Sequence, residues 1–80
     1  MADLAQRVRS VVAQTLKTEP SAVTDAARFV EDLGASSMQS VELVAAFEEE
    51  FDIEMDEQAA LAVKTVGQAV AFVRQYLPEG

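Results

Sequence analysis

Apolar residues recur at helical spacing over residues 3–17, where Leu4, Val8, Val11, Val12 and Leu16 alternate with Gln6, Arg7, Arg9, Ser10 and Gln14. This spacing predicts an amphipathic helix. Asp3 is suited to cap its N-terminus and to favour the helix dipole there. Pro20 is expected to stop it, because proline lacks the N–H that a helix interior needs. The connection over residues 18–35 keeps four spaced apolar side chains, Val23, Phe29, Val30 and Leu33. It therefore reads as a loop packed across the other elements and anchored by those four, with one short turn at residues 21–23.

A second helix is expected to begin at Ser36 or Ser37. Ser36 is a good N-cap and Gln39 stands three residues on, which makes a capping box. Met38, Val41, Val44 and Phe47 read as its inward stripe, with Leu43 and Ala45 or Ala46 alongside. Glu42, Glu48, Glu49 and Glu50 read as outward or marginal. Residues 51–55 alternate apolar and acidic, as a strand would. A lone short strand has nothing to pair with here, so an extended loop is expected. Asp56 then caps a short helix running to about Val63. Thr65 and Gln68 form another capping box. The helix they open carries Val66, Ala69, Val70, Val73 and Leu77 inward, flanked by Phe72 and Tyr76, and Pro78 ends it. The expected fold is all-α: a small bundle of three principal helices plus one short helix, in one domain over residues 1–80.

Composition narrows the function. The chain has 80 residues, half of them hydrophobic, and neither Cys nor His. A disulfide framework is excluded, and so are Ser-His and Cys-His catalytic pairs. The commonest zinc ligands are absent as well, so neither catalytic residues nor a metal site is expected. No apolar run approaches a membrane span, and the first 16 residues lack the apolar core of a secretory signal, so a cytoplasmic protein is expected. The formal net charge is −8. Between Arg28 and Lys64 there is no base, while Glu31, Asp32, Glu42, Glu48, Glu49, Glu50, Asp52, Glu54, Asp56 and Glu57 all fall in that window. Such a surface repels nucleic acid and attracts basic protein patches. Acids at the end of the second helix oppose its dipole, a local cost consistent with a surface kept for a partner.

One segment carries chemistry. A Ser at the first turn of a helix is exposed and held in a fixed direction, beside unsatisfied N–H groups that favour an anion. Gly34 lets the incoming chain turn sharply and leaves room for an enzyme to approach. Taken alone, Ser36 and Ser37 are helix caps. Their surroundings read further. Asp32-Leu33-Gly34-Ala35-Ser36-Ser37-Met38, followed by Val41-Glu42-Leu43, resembles the attachment motif of acyl carrier proteins. Phe29-Val30-Glu31 before it, the acidic segment from Glu48 to Glu54, and Thr65-Val66 extend the resemblance in order and without gaps.

The resemblance implies a stand-alone carrier with 4'-phosphopantetheine attached covalently at Ser37. Acyl intermediates would be held as thioesters and delivered to enzymes of fatty-acid, polyketide or related synthesis. The implied partners are a phosphopantetheinyl transferase, an acyl-loading ligase or transferase, and ketosynthases or other acyl-processing enzymes with basic docking patches. Met38, Glu42, Glu48, Glu49, Asp56 and Leu61 are the implied contact residues on a monomer that engages neither nucleic acid nor membrane. Met38 reads equally as a core contact, and Leu61 as an inward-packing one. Ala45, Ala46, Ala59 and Ala62 read first as close helix packing and second as room for an acyl chain. Two alternatives stay open: an aminoacyl or peptidyl carrier of a specialised pathway, and a carrier-like subunit that is never modified. Ser36 stands where the family usually has Asp, Gln39 where an acid is frequent, and Met38 where Leu is usual. Ala59, Leu61 and Ala62 make the short helix less acidic than is common. These departures suggest a specialised carrier.

Overall fold

The computed structural model describes residues 3–77. Four helices follow in order: α1 (Leu4–Leu16), α2 (Ser37–Phe51), α3 (Glu57–Leu61) and α4 (Val66–Tyr76), with a single 3-10 turn (Pro20–Ala22) after α1. The all-α bundle of three principal helices and one short one is as expected. α1 packs against both α2 and α4, and α3 rests on α2. Val8, Val12, Val23, Val66 and Val73 are the fully buried side chains at the centre.

Every helix start is a side-chain cap. Asp3 accepts the Gln6 N–H at 2.8 Å. Ser36 and Thr65 form complete capping boxes with Gln39 and Gln68. Asp56 accepts from Gln58 and Ala59. The ends of α1 and α2 lie within a residue of expectation but are closed by left-handed turns. α1 stops at Leu16, before Pro20, because Lys17 turns into the left-handed region (φ 55°) and the Thr18 N–H bonds back to the Ala13 carbonyl. Pro20 opens the 3-10 turn instead. α2 ends the same way, with Asp52 left-handed and the Ile53 N–H on the Glu48 carbonyl. Such reversed bonds satisfy carbonyls that a helix end otherwise orphans. α4 ends at Tyr76, with Leu77 as its half-buried C-cap. Pro78 lies outside the described residues.

The long connection is anchored as expected by Val23 and Phe29, both buried, with Leu33 half-buried. Val30 is a correction: it is 60 % exposed. The connection is also sewn to the start of α4 by backbone. Phe29 donates to the Lys64 carbonyl, Val66 to Ala27 and Gly67 to Asp25. Arg9 of α1 reaches Asp25 at 3.4 Å. These ties fix where the connection delivers the chain into α2.

The inward face of α2 is the main revision. Its buried residues are Leu43, Val44, Phe47 and Phe51, whereas Met38 is 73 % and Val41 45 % exposed. Helical rotation explains this. A residue nine positions on is turned by about 180°, so Met38 and Phe47 cannot share a face. The set 43, 44, 47, 51 instead follows the three- and four-residue steps of one stripe.

Candidate functional site

The approach to α2 is built from residues 28–36. The Arg28 N–H donates to Asp32 Oδ2 at 2.8 Å, and the Asp32 and Leu33 N–H groups return to the Arg28 carbonyl. The Arg28 guanidinium pairs with Asp32 at 3.2 Å and with Glu31 at 3.5 Å. The hydrogen bonds from Arg28 hold the Asp32 carboxyl below its ordinary range, and Asp32 in turn raises Arg28. Ala35 is buried, with its N–H on the Phe29 carbonyl at 2.8 Å. Gly34 adopts φ +70°, which side-chain-bearing residues rarely take, yet a Cβ there would meet nothing within 4 Å. Backbone conformation, not crowding, is what calls for glycine at this position.

Ser36 and Ser37 have different roles although they are adjacent. Ser36 Oγ accepts the Gln39 N–H at 3.1 Å, and Gln39 Oε1 accepts the Ser36 N–H at 3.0 Å. The Ser40 hydroxyl donates to the Ser36 carbonyl. Ser37 is the first residue of α2, exposed, and among the described residues its Oγ makes no hydrogen bond. The Ser37 and Met38 N–H groups likewise have no partner among the described residues. A phosphodiester on Ser37 fits this arrangement: its oxygen is free, and a helix N-terminus with open N–H groups favours negative charge.

Ser37 heads an exposed ridge. Steps of four residues lead from Ser37 to Val41, Ala45 and Glu49, with Met38 and Glu42 beside them, and all six are exposed. The structure therefore brings Met38, Glu42 and Glu49 together with Ser37. It adds Val41, which periodicity had assigned to the core.

Glu48 and Asp56 do other work. Glu48 is half-buried and accepts the Met55 N–H at 2.9 Å, closing the loop after α2. Asp56 caps α3. Glu50 pairs with Arg7 at 3.2 Å, and that guanidinium lies 4.6 Å from the Phe51 ring centroid. Two of the three acids at the end of α2 thus have a local reason. Glu49 alone fits the expectation of a charge without one.

Leu61, 43 % exposed, lies at the rim of a cavity of about 100 Å³ between α2, α3 and α4. Leu43, Val44, Phe47, Ala60, Ala69 and Phe72 are among its walls, and Val30, Glu31 and Lys64 are exposed lining residues. None of Ala45, Ala46, Ala59 or Ala62 lines it; the small residues that make room are Ala60 and Ala69. Among the described residues no helix is long and apolar enough to cross a membrane.

Comparison with known proteins agrees with this geometry. Residues 6–73 match the family model described as the phosphopantetheine attachment site. An acyl carrier protein of Phenylobacterium zucineum is 51 % identical over 77 residues, covering 96 % of this chain and 98 % of that one. The acyl carrier protein of Caulobacter vibrioides is 51 % identical over 75 residues, 94 % of this chain and 96 % of that one. Among solved structures, a candidate acyl carrier protein from Mycobacterium tuberculosis superposes with a TM-score of 0.84 at 27 % identity, over 91 % of this chain and 97 % of that one. The chain belongs to the acyl carrier protein family, and is accordingly a phosphopantetheine-dependent carrier that works with partner enzymes and is not itself an enzyme.

Proposed function

We propose that Ser37 is the residue that bears the phosphopantetheine, and that the protein, as one carrier domain in the cytoplasm, delivers acyl groups to enzymes of fatty-acid, polyketide or related synthesis. The observation that carries this reading is the free, exposed Ser37 Oγ at the first turn of α2, next to a serine already committed to capping. The bound arm supplies a terminal thiol that holds the cargo as a thioester. The chain's own residues orient and protect. Ser36 and Gln39 fix the start of the helix, and the open N–H groups of Ser37 and Met38 favour the phosphate charge.

Val41, Met38, Glu42 and Glu49 form the docking ridge for a basic patch on the transferase, the loading enzyme or a ketosynthase. Exposed charges of this sort give weak, salt-sensitive contacts, which suit rapid exchange between partners. The largely apolar walls of the cavity beside α2 favour a hydrocarbon cargo over an amino acid, whose ammonium group would be costly to bury there.

The test is intact mass before and after treatment with a broad-specificity phosphopantetheinyl transferase. The wild-type chain is expected to gain one phosphopantetheine, and Ser37→Ala to gain none. A gain that persists in Ser37→Ala would sink the assignment, and no gain in the wild type would favour an unmodified subunit.

A further inference from the structure

α3 is the helix least able to hold itself. It has five residues, far fewer than a helix needs to persist alone, and none of them is buried. Yet Ala60 and Leu61 of α3, with Val63 just after it, form one wall of the cavity. Its cap is also incomplete within its own sequence. In α2 and α4 the N-cap N–H is met by a Gln at the third helical position, Gln39 and Gln68. In α3 that position is Ala59, which has no group to reach back. The acceptor comes instead from 20 residues away: the Asp56 N–H donates to the Tyr76 hydroxyl at 3.3 Å. The Tyr76 ring packs on Phe72 with centroids 5.1 Å apart, and Phe72 lines the same cavity.

We infer that Tyr76 is a positioning residue that completes the α3 cap from α4, holds α3 down as the roof of the cavity, and so sets how well an acyl chain is sheltered there. The sheltering part rests on the carrier reading above; the capping part does not. Two properties make Tyr76 separable from ordinary packing. Tyr76→Phe removes only the hydroxyl and leaves the ring against Phe72. Ala59→Gln would supply the missing acceptor in cis, as Gln39 and Gln68 do, and Ala59 is exposed, so the longer side chain has room.

The experiment measures amide solvent exchange by NMR on the unmodified full chain. In Tyr76→Phe the amides of Asp56, Ala60 and Val63 should exchange about 2- to 12-fold faster, the factor that one net hydrogen bond represents. The Gln6 amide, held by the local Asp3 cap at the start of α1 and opening by local fraying, should be unchanged. In Tyr76→Phe with Ala59→Gln the α3 rates should return toward wild type. Unchanged α3 rates, an equal rise at Gln6, or no rescue by the glutamine would each overturn the cap. In a second arm, octanoyl- and acetyl-loaded proteins are compared for thioester loss to hydroxylamine. The octanoyl form should be the better protected in wild type, and Tyr76→Phe should shrink that advantage. Faster α3 exchange with an unchanged octanoyl advantage would overturn the role in sheltering. Failure to load at Ser37 would instead overturn the carrier assignment, and the exchange arm would still decide the cap.

Discussion

Ser36 and Ser37 differ by one position and should respond to the same substitution in opposite ways. Ser36→Ala removes the Oγ that accepts the Gln39 N–H at 3.1 Å. Loss of a Ser N-cap typically costs about 1 kcal/mol. A domain of this size has roughly 4–12 kcal/mol of total stability at ~0.05–0.15 kcal/mol per residue, so the loss is a sizeable share. It should lower Tm by about 4–8 °C. Ser37→Ala removes a hydroxyl with no partner among the described residues and installs the best helix former. Its stability should stay within about 0.5 kcal/mol of wild type. Thermal melting of the unmodified proteins reads the first quantity, and intact mass after transferase treatment reads the second. Ser36→Ala should melt early and still gain the arm. Ser37→Ala should melt normally and gain nothing. Ser36→Asp, a cap of equal quality, should restore the melting temperature. The opposite pattern, with a stable Ser36→Ala that is never modified and an unstable Ser37→Ala that is, would refute the division of roles between the two serines.

Three further outcomes follow from the packing. Val12→Ala, at a fully buried site between α1 and the rest of the core, should cost roughly 2–3 kcal/mol by the lost methyl groups and the cavity they leave, measured by urea unfolding. Gly67→Ala should fail to give the gain of about 1 kcal/mol usual for this change in a helix, because its Cβ would stand 3.1 Å from the Asp25 carbonyl oxygen that the Gly67 N–H already binds; a rise in Tm would contradict this. Asp32 has a lowered pKa in the folded chain, chiefly from the Arg28 hydrogen bonds, so its contribution is present above the ordinary carboxylate range and is lost as pH falls through the folded value. An acid titration followed at the amides of residues 28–35 should show this in wild type, and Asp32→Asn should abolish that part of the pH response.

The acidic window takes on a different meaning once its members are sorted by what they touch. By charge alone, its ten acids form one undifferentiated docking surface. In the folded chain Glu31 and Asp32 are held by Arg28, Glu50 by Arg7, Glu48 by the Met55 N–H and Asp56 by the start of α3. Asp52, Glu54 and Glu57 are exposed on the loop and short helix beyond α2, and Glu42 and Glu49 are left on the ridge that begins at Ser37. On the reading proposed above, a partner would meet those two charges in register with Ser37, alongside Met38 and Val41.

What the sequence determined by itself was local. The caps at Asp3, Ser36, Asp56 and Thr65 act over two or three residues, so their partners stand nearby in the chain and the helix starts were legible. The candidate Ser37 was legible for a related reason, since its setting is the same contiguous segment that defines the resemblance. The ends of α1 and α2 fall within a residue of where the pattern placed them, but the left-handed turns of Lys17 and Asp52 that close them were not legible, because neither position is a glycine. Tertiary structure decided which face of α2 turned inward. Apolar residues surround much of that helix, and only the positions of α1 and α3 select Leu43, Val44, Phe47 and Phe51 over Met38 and Val41. It also decided which acids were free and which were occupied, and it supplied the Tyr76 hydroxyl to Asp56. The Glu48, Tyr76 and Glu50 contacts join residues 7, 20 and 43 positions apart, and a side chain's partner at that separation is set by how the helices pack, not by anything written beside it in the chain.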